Sequence, residues 1–179
     1  MNLCGLQKAL EFRLEMSRFK SWSIFVFCSG VLVALDLWLK HWAAVNLQNQ
    51  PPRSLIPGFI GLTYIENPGA AFGLFAGFAW GRYVLSVASF FFMIGILWYF
   101  NRIPKEKRFW FIRVPLILIF AGGMGNLFDR LAFGAVRDML RFLFINFPIF
   151  NLADVYVTVG AFGFMFVTLF IVKDAPLFS

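Results

Sequence analysis

The stretch from Trp22 to Val45 reads WSIFVFCSGVLVALDLWLKHWAAV, and it decides the class of the whole chain. Only Asp36, Lys40 and His41 interrupt an apolar run long enough to cross a hydrocarbon layer of ~30 Å, which takes ~20 helical residues. Lys8, Arg13, Arg18 and Lys20 precede it, a basic flank of the kind that stays cytoplasmic. A secretory leader also starts basic and turns apolar, but its apolar core is short and ends at a small-residue cleavage site. This run continues without such a site at its end, so it is expected to persist as an uncleaved first membrane helix.

Outward from this run, three further apolar segments are expected to span the membrane, at about 82–100, 109–128 and 152–172. Trp80, Trp98, Tyr99 and Trp110 fall near their ends, as Trp22 and Trp42 do for the first, at the headgroup level that suits an apolar ring with a polar edge. The composition agrees: 60% of the 179 residues are hydrophobic, 14% are charged, and the mean hydropathy is +0.77. So short a soluble chain could not hide that much apolar surface. The net charge of +7 would suit nucleic acid, but its distribution argues otherwise. Arg102, Lys105, Lys107, Arg108 and Arg113 surround the connection between spans two and three, a second cytoplasmic flank. The expected architecture is therefore an all-α integral membrane protein, one membrane-embedded domain over 1–179, with both termini cytoplasmic and residues 46–81 and 129–151 outside. Arg130, Arg137 and Arg141 in the second outer segment weaken that asymmetry and ask for carboxylate partners.

Pro51, Pro52, Pro57 and Gly58 punctuate the first outer connection, and the β-rich residues from Gly58 to Glu66 predict a strand or hairpin on the membrane surface. Gly69, Gly73, Gly77 and Gly81 recur every four residues, which fits a helix-packing stripe and equally a loop that needs glycine's freedom. Cys4 and Cys28 fall at different levels, so no disulfide is expected. Two cysteines and the lone His41 supply neither a zinc site nor a Cys/His nucleophile pair.

Ionisable groups within a span cost about 2.5 to 3.5 kcal/mol at its centre, so each needs a reason. Asp36 and Lys40, four apart on one helix face, can neutralise each other, and a supporting role at a site edge stays open. In Gly122-Gly123-Met124-Gly125-Asn126-Leu127-Phe128-Asp129-Arg130 the glycines permit close approach, Asn126 brings donors and an acceptor to membrane depth, and Asp129 and Arg130 bring opposite charges to the outer boundary. Asp138 lies just outside the third span and Asp154 just inside the fourth, so the two acids can converge at one depth. Two nearby carboxylates do not both ionise readily and come to share a proton. One can then deprotonate water while the other hydrogen-bonds a carbonyl oxygen, and no metal or covalent nucleophile is needed. The plain alternatives are a loop acid at Asp138, paired with Arg137 or Arg141, and a first-turn helix acid at Asp154.

In these motifs the chain resembles the lipoprotein signal peptidases, the bacterial type II signal peptidases. The resemblance rests on Asp36 with Lys40, Asn67-Pro68-Gly69-Ala70-Ala71-Phe72-Gly73, Gly122 to Arg130 with Gly134, Val136 and Asp138, and Asn151-Leu152-Ala153-Asp154, in that order. It implies four transmembrane helices with a small β-cradle and a surface helix in the outer loops. It also implies an aspartyl endopeptidase of the bacterial inner membrane whose catalytic residues are Asp138 and Asp154. Asp36, Lys40, Asn67, Gly69, Asn126, Asp129, Arg130 and Asn151 would shape the site. The implied substrate is a diacylglyceryl-modified prolipoprotein reached through membrane lipid, cut before its lipidated cysteine by a monomer without a cofactor. Arg137 beside Asp138, and Met139 where an aromatic residue is expected, depart from the family pattern. A small transporter would instead spread its acids along the bilayer depth, and an assembly protein would leave the boundary carboxylates without a purpose.

Overall fold

The computed structural model describes residues 3–69, 80–104 and 109–172. Four helices dominate it: α1 (Leu3–Leu47), α2 (Gly81–Arg102), α3 (Trp110–Phe133) and α4 (Leu152–Phe166), the last running on through a π-helical turn, Val167–Ile171. Each holds a segment long and apolar enough to cross a membrane: Arg18–Leu47, Gly81–Arg102, Trp110–Phe133 and Leu152–Ile171. These match the expected spans to within a few residues, except that α1 begins far earlier and α3 runs to Phe133. Asp129 and Arg130 therefore sit on the last turns of α3 rather than beyond it.

α3 is the central helix, packed against α1, α2 and α4. Its partners turn large apolar side chains outward, among them Phe91 and Phe92 on α2 and Phe162 and Phe166 on α4. Such surfaces are stable against lipid and not against water. Toward the end of the bundle where α2 leads into α3, Phe25, Phe100, Phe109, Ile112 and Val167 form the apolar core. Toward the other end α3 closes tightly on its neighbours through two glycines. A Cβ on Gly122 would collide with the Ala153 carbonyl oxygen of α4, and one on Gly125 with the Asp36 carboxylate of α1.

The connections between α1 and α2 and between α3 and α4 fold into an antiparallel sheet of β1 (Arg53–Ile56), β2 (Ile60–Asn67) and β3 (Val136–Phe142), in that order. The strand or hairpin expected over Gly58 to Glu66 is the single strand β2, which pairs with β1 across a turn in which the Phe59 N–H donates to the Ile56 carbonyl at 3.0 Å. β3 was not expected, because the sequence reads there as loop. Met139 of β3, buried with Ala43 and Leu47, seats the sheet on the C-terminal end of α1. Gly73 and Gly77 fall outside the described residues, and among the described residues of the two connections there is no surface helix.

Candidate active site

Strand pairing brings the first of the two acids into place. β2 meets β3 with Ile65 opposite Asp138 and Asn67 opposite Val136, after a register shift between Leu62 and Ile65. A bulge of this kind re-aims the side chains that follow it. Here it leaves Asn67 diagonal to Asp138, and the Asn67 amide donates to Asp138 Oδ2 at 3.2 Å. Asn67 is itself steadied by Gly69, whose N–H donates to its Oδ1 at 3.1 Å.

Helix capping places the second acid. Asn151 is the N-cap of α4 and Asp154 its third residue, and they form a reciprocal capping box. The Asp154 N–H donates to Asn151 Oδ1 at 3.0 Å, and the Asn151 N–H donates to Asp154 Oδ2 at 3.1 Å. The plain alternative for Asp154, a first-turn acid, thus holds together with its place in the site. The Asn151 amide then reaches over to Asp138 Oδ1 at 2.6 Å and to Asn126 Oδ1 at 3.0 Å. Asn126 donates from its own amide to Asp154 Oδ1 at 2.8 Å. Each carboxylate therefore receives a hydrogen bond on both oxygens, and Asn151 belongs to both sets.

Behind this layer lies a buried charge network. Lys40 and Asp36 pair at 2.7 Å with both side chains 0% exposed, so their predicted contact is formed inside the protein rather than at its surface. Lys40 also lies 3.7 Å from Asp129 and donates to Asn126 Oδ1 at 2.9 Å. That bond fixes the orientation of the Asn126 amide, because a cation can face only its oxygen. Asp36 accepts from the Ala153 N–H at 2.9 Å, which ties α1 to the first turn of α4. Arg137, which local reading paired with Asp138, turns to Asp129 instead. Its Nη2 reaches Asp129 Oδ1 at 2.6 Å, while its Nε and backbone N–H reach Oδ2 at 3.2 and 3.0 Å. Arg137 is the functional neighbour that sequence reasoning missed, since a bidentate partner on the preceding helix leaves no mark in local spacing.

Arg130 is half-buried, its charge is within electrostatic reach of Asp129, Asp138 and Asp154, and its Nε has no hydrogen-bond partner among the described residues. With Asn67, Asn126, Asp138 and Asp154 it forms the polar floor of a cavity of about 630 Å³. The remaining walls are largely apolar, from Phe92, Ile119, Phe142, Phe150 and Val157, and they descend between α2, α3 and α4. Burial pushes the Asp138 carboxyl up to about 7, and the Asp154 charge adds to the rise. The amides of Asn67 and Asn151 and the Lys40 charge pull it partly back. A proton is thereby held at this site near neutral pH, as acid and base chemistry by two carboxyls requires. Among the described residues no three His, Cys, Asp or Glu side chains are grouped to hold a metal ion.

Residues 28–170 match the family model described as signal peptidase (SPase) II. A lipoprotein signal peptidase of Streptococcus thermophilus is 40% identical over 129 residues, covering 72% of this chain and 81% of the relative. One from Latilactobacillus sakei is 39% identical over 132 residues, covering 73% and 84%. In fold the chain is similar to two solved bacterial membrane enzymes. One has a TM-score of 0.72 at 24% identity, covering 85% of this chain and 90% of the other. The second has a TM-score of 0.70 at 26% identity, covering 86% and 95%. The chain is a multi-pass membrane protein and a peptidase that belongs to the signal peptidase II family.

Proposed function

We propose that this chain is an intramembrane aspartyl endopeptidase that removes the signal peptide from diacylglyceryl-modified prolipoproteins at the outer face of the bacterial inner membrane, with both termini cytoplasmic. The observation that carries this reading is the shared Asn151, which joins Asp138 and Asp154 through one side chain and one backbone N–H. The two acids are thereby fixed at the floor of a cavity whose other walls suit an apolar peptide and acyl chains. The aspartyl chemistry follows from the residues themselves. Monomeric action without a cofactor is part of the same proposal.

In the reaction, Asp138 carries the proton and Asp154 is ionised. Asp154 takes a proton from a water molecule as its oxygen attacks the carbonyl carbon of the residue preceding the lipidated cysteine. Asp138 gives its proton to the carbonyl oxygen, and the tetrahedral diol is neutral. Collapse returns a proton from the diol to Asp138, breaks the C–N bond, and passes the proton on Asp154 to the leaving amine of the cysteine. The products are a signal peptide ending in a carboxylic acid, which then gives its proton to water or to the new amine, and a lipid-anchored apolipoprotein, with Asp138 protonated and Asp154 ionised as at the start. Arg130 lies within electrostatic reach of both carboxyls and can stabilise the negative charge that the pair carries.

Asp138→Asn and Asp154→Asn test the reading. Each is expected to abolish cleavage of a diacylglyceryl-prolipoprotein, read as a gel shift, while the purified variant retains its thermal unfolding transition. Turnover retained by either folded variant refutes the pair. Proteoliposome ion flux that depends on Asp154 and persists without proteolysis would favour a transporter instead.

A further inference from the structure

At the opposite end of the bundle from the acids, a small recess is bordered by Arg18, Trp22, Phe100, Asn101, Ile103 and Arg113. Arg113 stands in the first turn of α3 and is 6% exposed. Its Nη2 donates to the Pro104 carbonyl at 3.2 Å, and its guanidinium lies 5.4 Å from the Trp110 ring and 5.8 Å from the Phe100 ring. Among the described residues its Nε has no hydrogen-bond partner and no carboxylate pairs with it. Arg18, exposed on α1, is a second cation at the rim.

A buried guanidinium without an anion is unfavourable, and this one, unlike Arg137 with Asp129, has no carboxylate partner among the described residues. The N-terminal end of α3 adds partial positive charge to the same place. Trp22 and Trp110 mark the level as the membrane boundary, where headgroup phosphates lie. A choline headgroup would bring a cation toward two arginines, whereas an anionic headgroup keeps its negative charge uncompensated until it meets them. We propose that Arg113 and Arg18 bind the phosphodiester of an anionic phospholipid in the cytoplasmic leaflet, at a site separate from the peptidase centre. The leaflet assignment rests on the orientation proposed above; the chemistry of the site does not.

The test uses the full chain in nanodiscs of phosphatidylcholine alone or mixed with phosphatidylglycerol, read by native mass spectrometry of retained lipid and by thermal unfolding. Wild type is expected to retain phosphatidylglycerol in preference to phosphatidylcholine, and Arg113→Met to lower that preference about fivefold, the worth of one basic residue against anionic lipid. Arg18→Ala should lower it less, and Arg113→Lys should keep most of it. In phosphatidylcholine alone, Arg113→Met should unfold no earlier than wild type, because it removes an unpaired buried charge. Equal phosphatidylglycerol preference in wild type and Arg113→Met overturns the site. Millimolar inorganic phosphate that stabilises wild type in phosphatidylcholine as well as phosphatidylglycerol does overturns the headgroup assignment in favour of a free anion. If Glu106→Gln destabilises the protein in phosphatidylcholine and Arg113→Met reverses it, the loop carboxylate is the partner and the inference fails. Prolipoprotein cleavage is followed in parallel, so loss of the lipid preference is separable from any failure of the peptidase reading.

Discussion

Replacing Gly122 by alanine tests whether the α3–α4 seam holds the acids in register. A Cβ at this position would overlap the Ala153 carbonyl oxygen and stand 2.8 Å from Val157 Cγ2. The Val157 methyl can rotate away, but the carbonyl belongs to the first turn of α4 and moves only with it. Restoring an ordinary contact would part the helices by roughly 1 Å. Overpacking of this kind costs about 1 to 3 kcal/mol, partly offset by the ~1 kcal/mol that alanine gains over glycine in a helix. Activity should suffer more than stability. The 2.8 Å bond from Asn126 to Asp154 crosses the same seam, and a displacement of ~1 Å at a reacting group can cost about 100-fold in rate. Gly95→Ala on α2 is the control, since its new methyl meets nothing within 4 Å and should leave cleavage unchanged. The assay is kcat/KM on a diacylglyceryl-prolipoprotein beside the unfolding temperature of both variants in one detergent. A Gly122→Ala enzyme within a few-fold of wild type would show that the seam tolerates the shift, and that the acids are not positioned through it.

The alkaline limb of kcat/KM should fall near pH 7, because the proton that burial and Asp154 hold on Asp138 leaves there; a profile flat through pH 8 in a folded enzyme contradicts Asp138 as the acid. Asn67→Ala removes a bond that favours the ionised form of Asp138, so its alkaline limb should move up, a direction that general damage to the fold would not produce. Since the folded value for Asp138 exceeds its ordinary 3.8, its contribution to stability is complete below about pH 4 and is lost as pH rises through about 7, which unfolding temperatures of wild type and Asp138→Asn measured across that window will show. Lys40→Met leaves Asp36 and Asp129 buried without their shared cation and should cost about 3 to 5 kcal/mol by chemical unfolding; a smaller loss than for Gly122→Ala would mean that those acids become protonated instead.

The spans were legible because length and hydropathy are local properties, and lipid imposes them segment by segment. Asp138 and Asp154 could be singled out for a related reason: acids at a membrane boundary are costly wherever they occur in the chain. β3 was not legible. Arg137, Asp138 and Met139 are all buried, so the strand lacks the polar alternation that marks a half-exposed one, and its pairing partner is Asn67, far back in the first outer segment. Arg137 shows the same limit on a smaller scale. Its neighbour in sequence is Asp138, yet successive side chains on a strand point to opposite faces, and Asp129 at the end of α3 is what its own face meets. In sequence Lys40 pairs with Asp36, whereas its position between Asp36, Asp129 and Asn126 emerges only when α1 packs against α3.

The arrangement of these charges bears on how many protons the acids hold. Asp36 and Asp129 are matched by Lys40 and Arg137 in a buried set that is neutral as a whole. Asp138 and Asp154 then face Arg130 as the remaining cation among the described residues of the site. Two ionised carboxylates would leave the assembly with one excess negative charge in a medium that penalises it, and two protonated ones would leave an excess positive charge. One proton shared by the pair is the neutral state. The rise of Asp138 to about 7 runs in the same direction: burial is its main cause, and the Asp154 charge adds to it. The asparagine amides act on the same balance from the other side: by donating to Asp138, Asn67 and Asn151 favour its ionised form and hold the rise in check, so that the proton is neither locked on nor readily lost. On the proposed mechanism, acid and base catalysis by the pair depends on this count of charges as much as on the alignment of atoms.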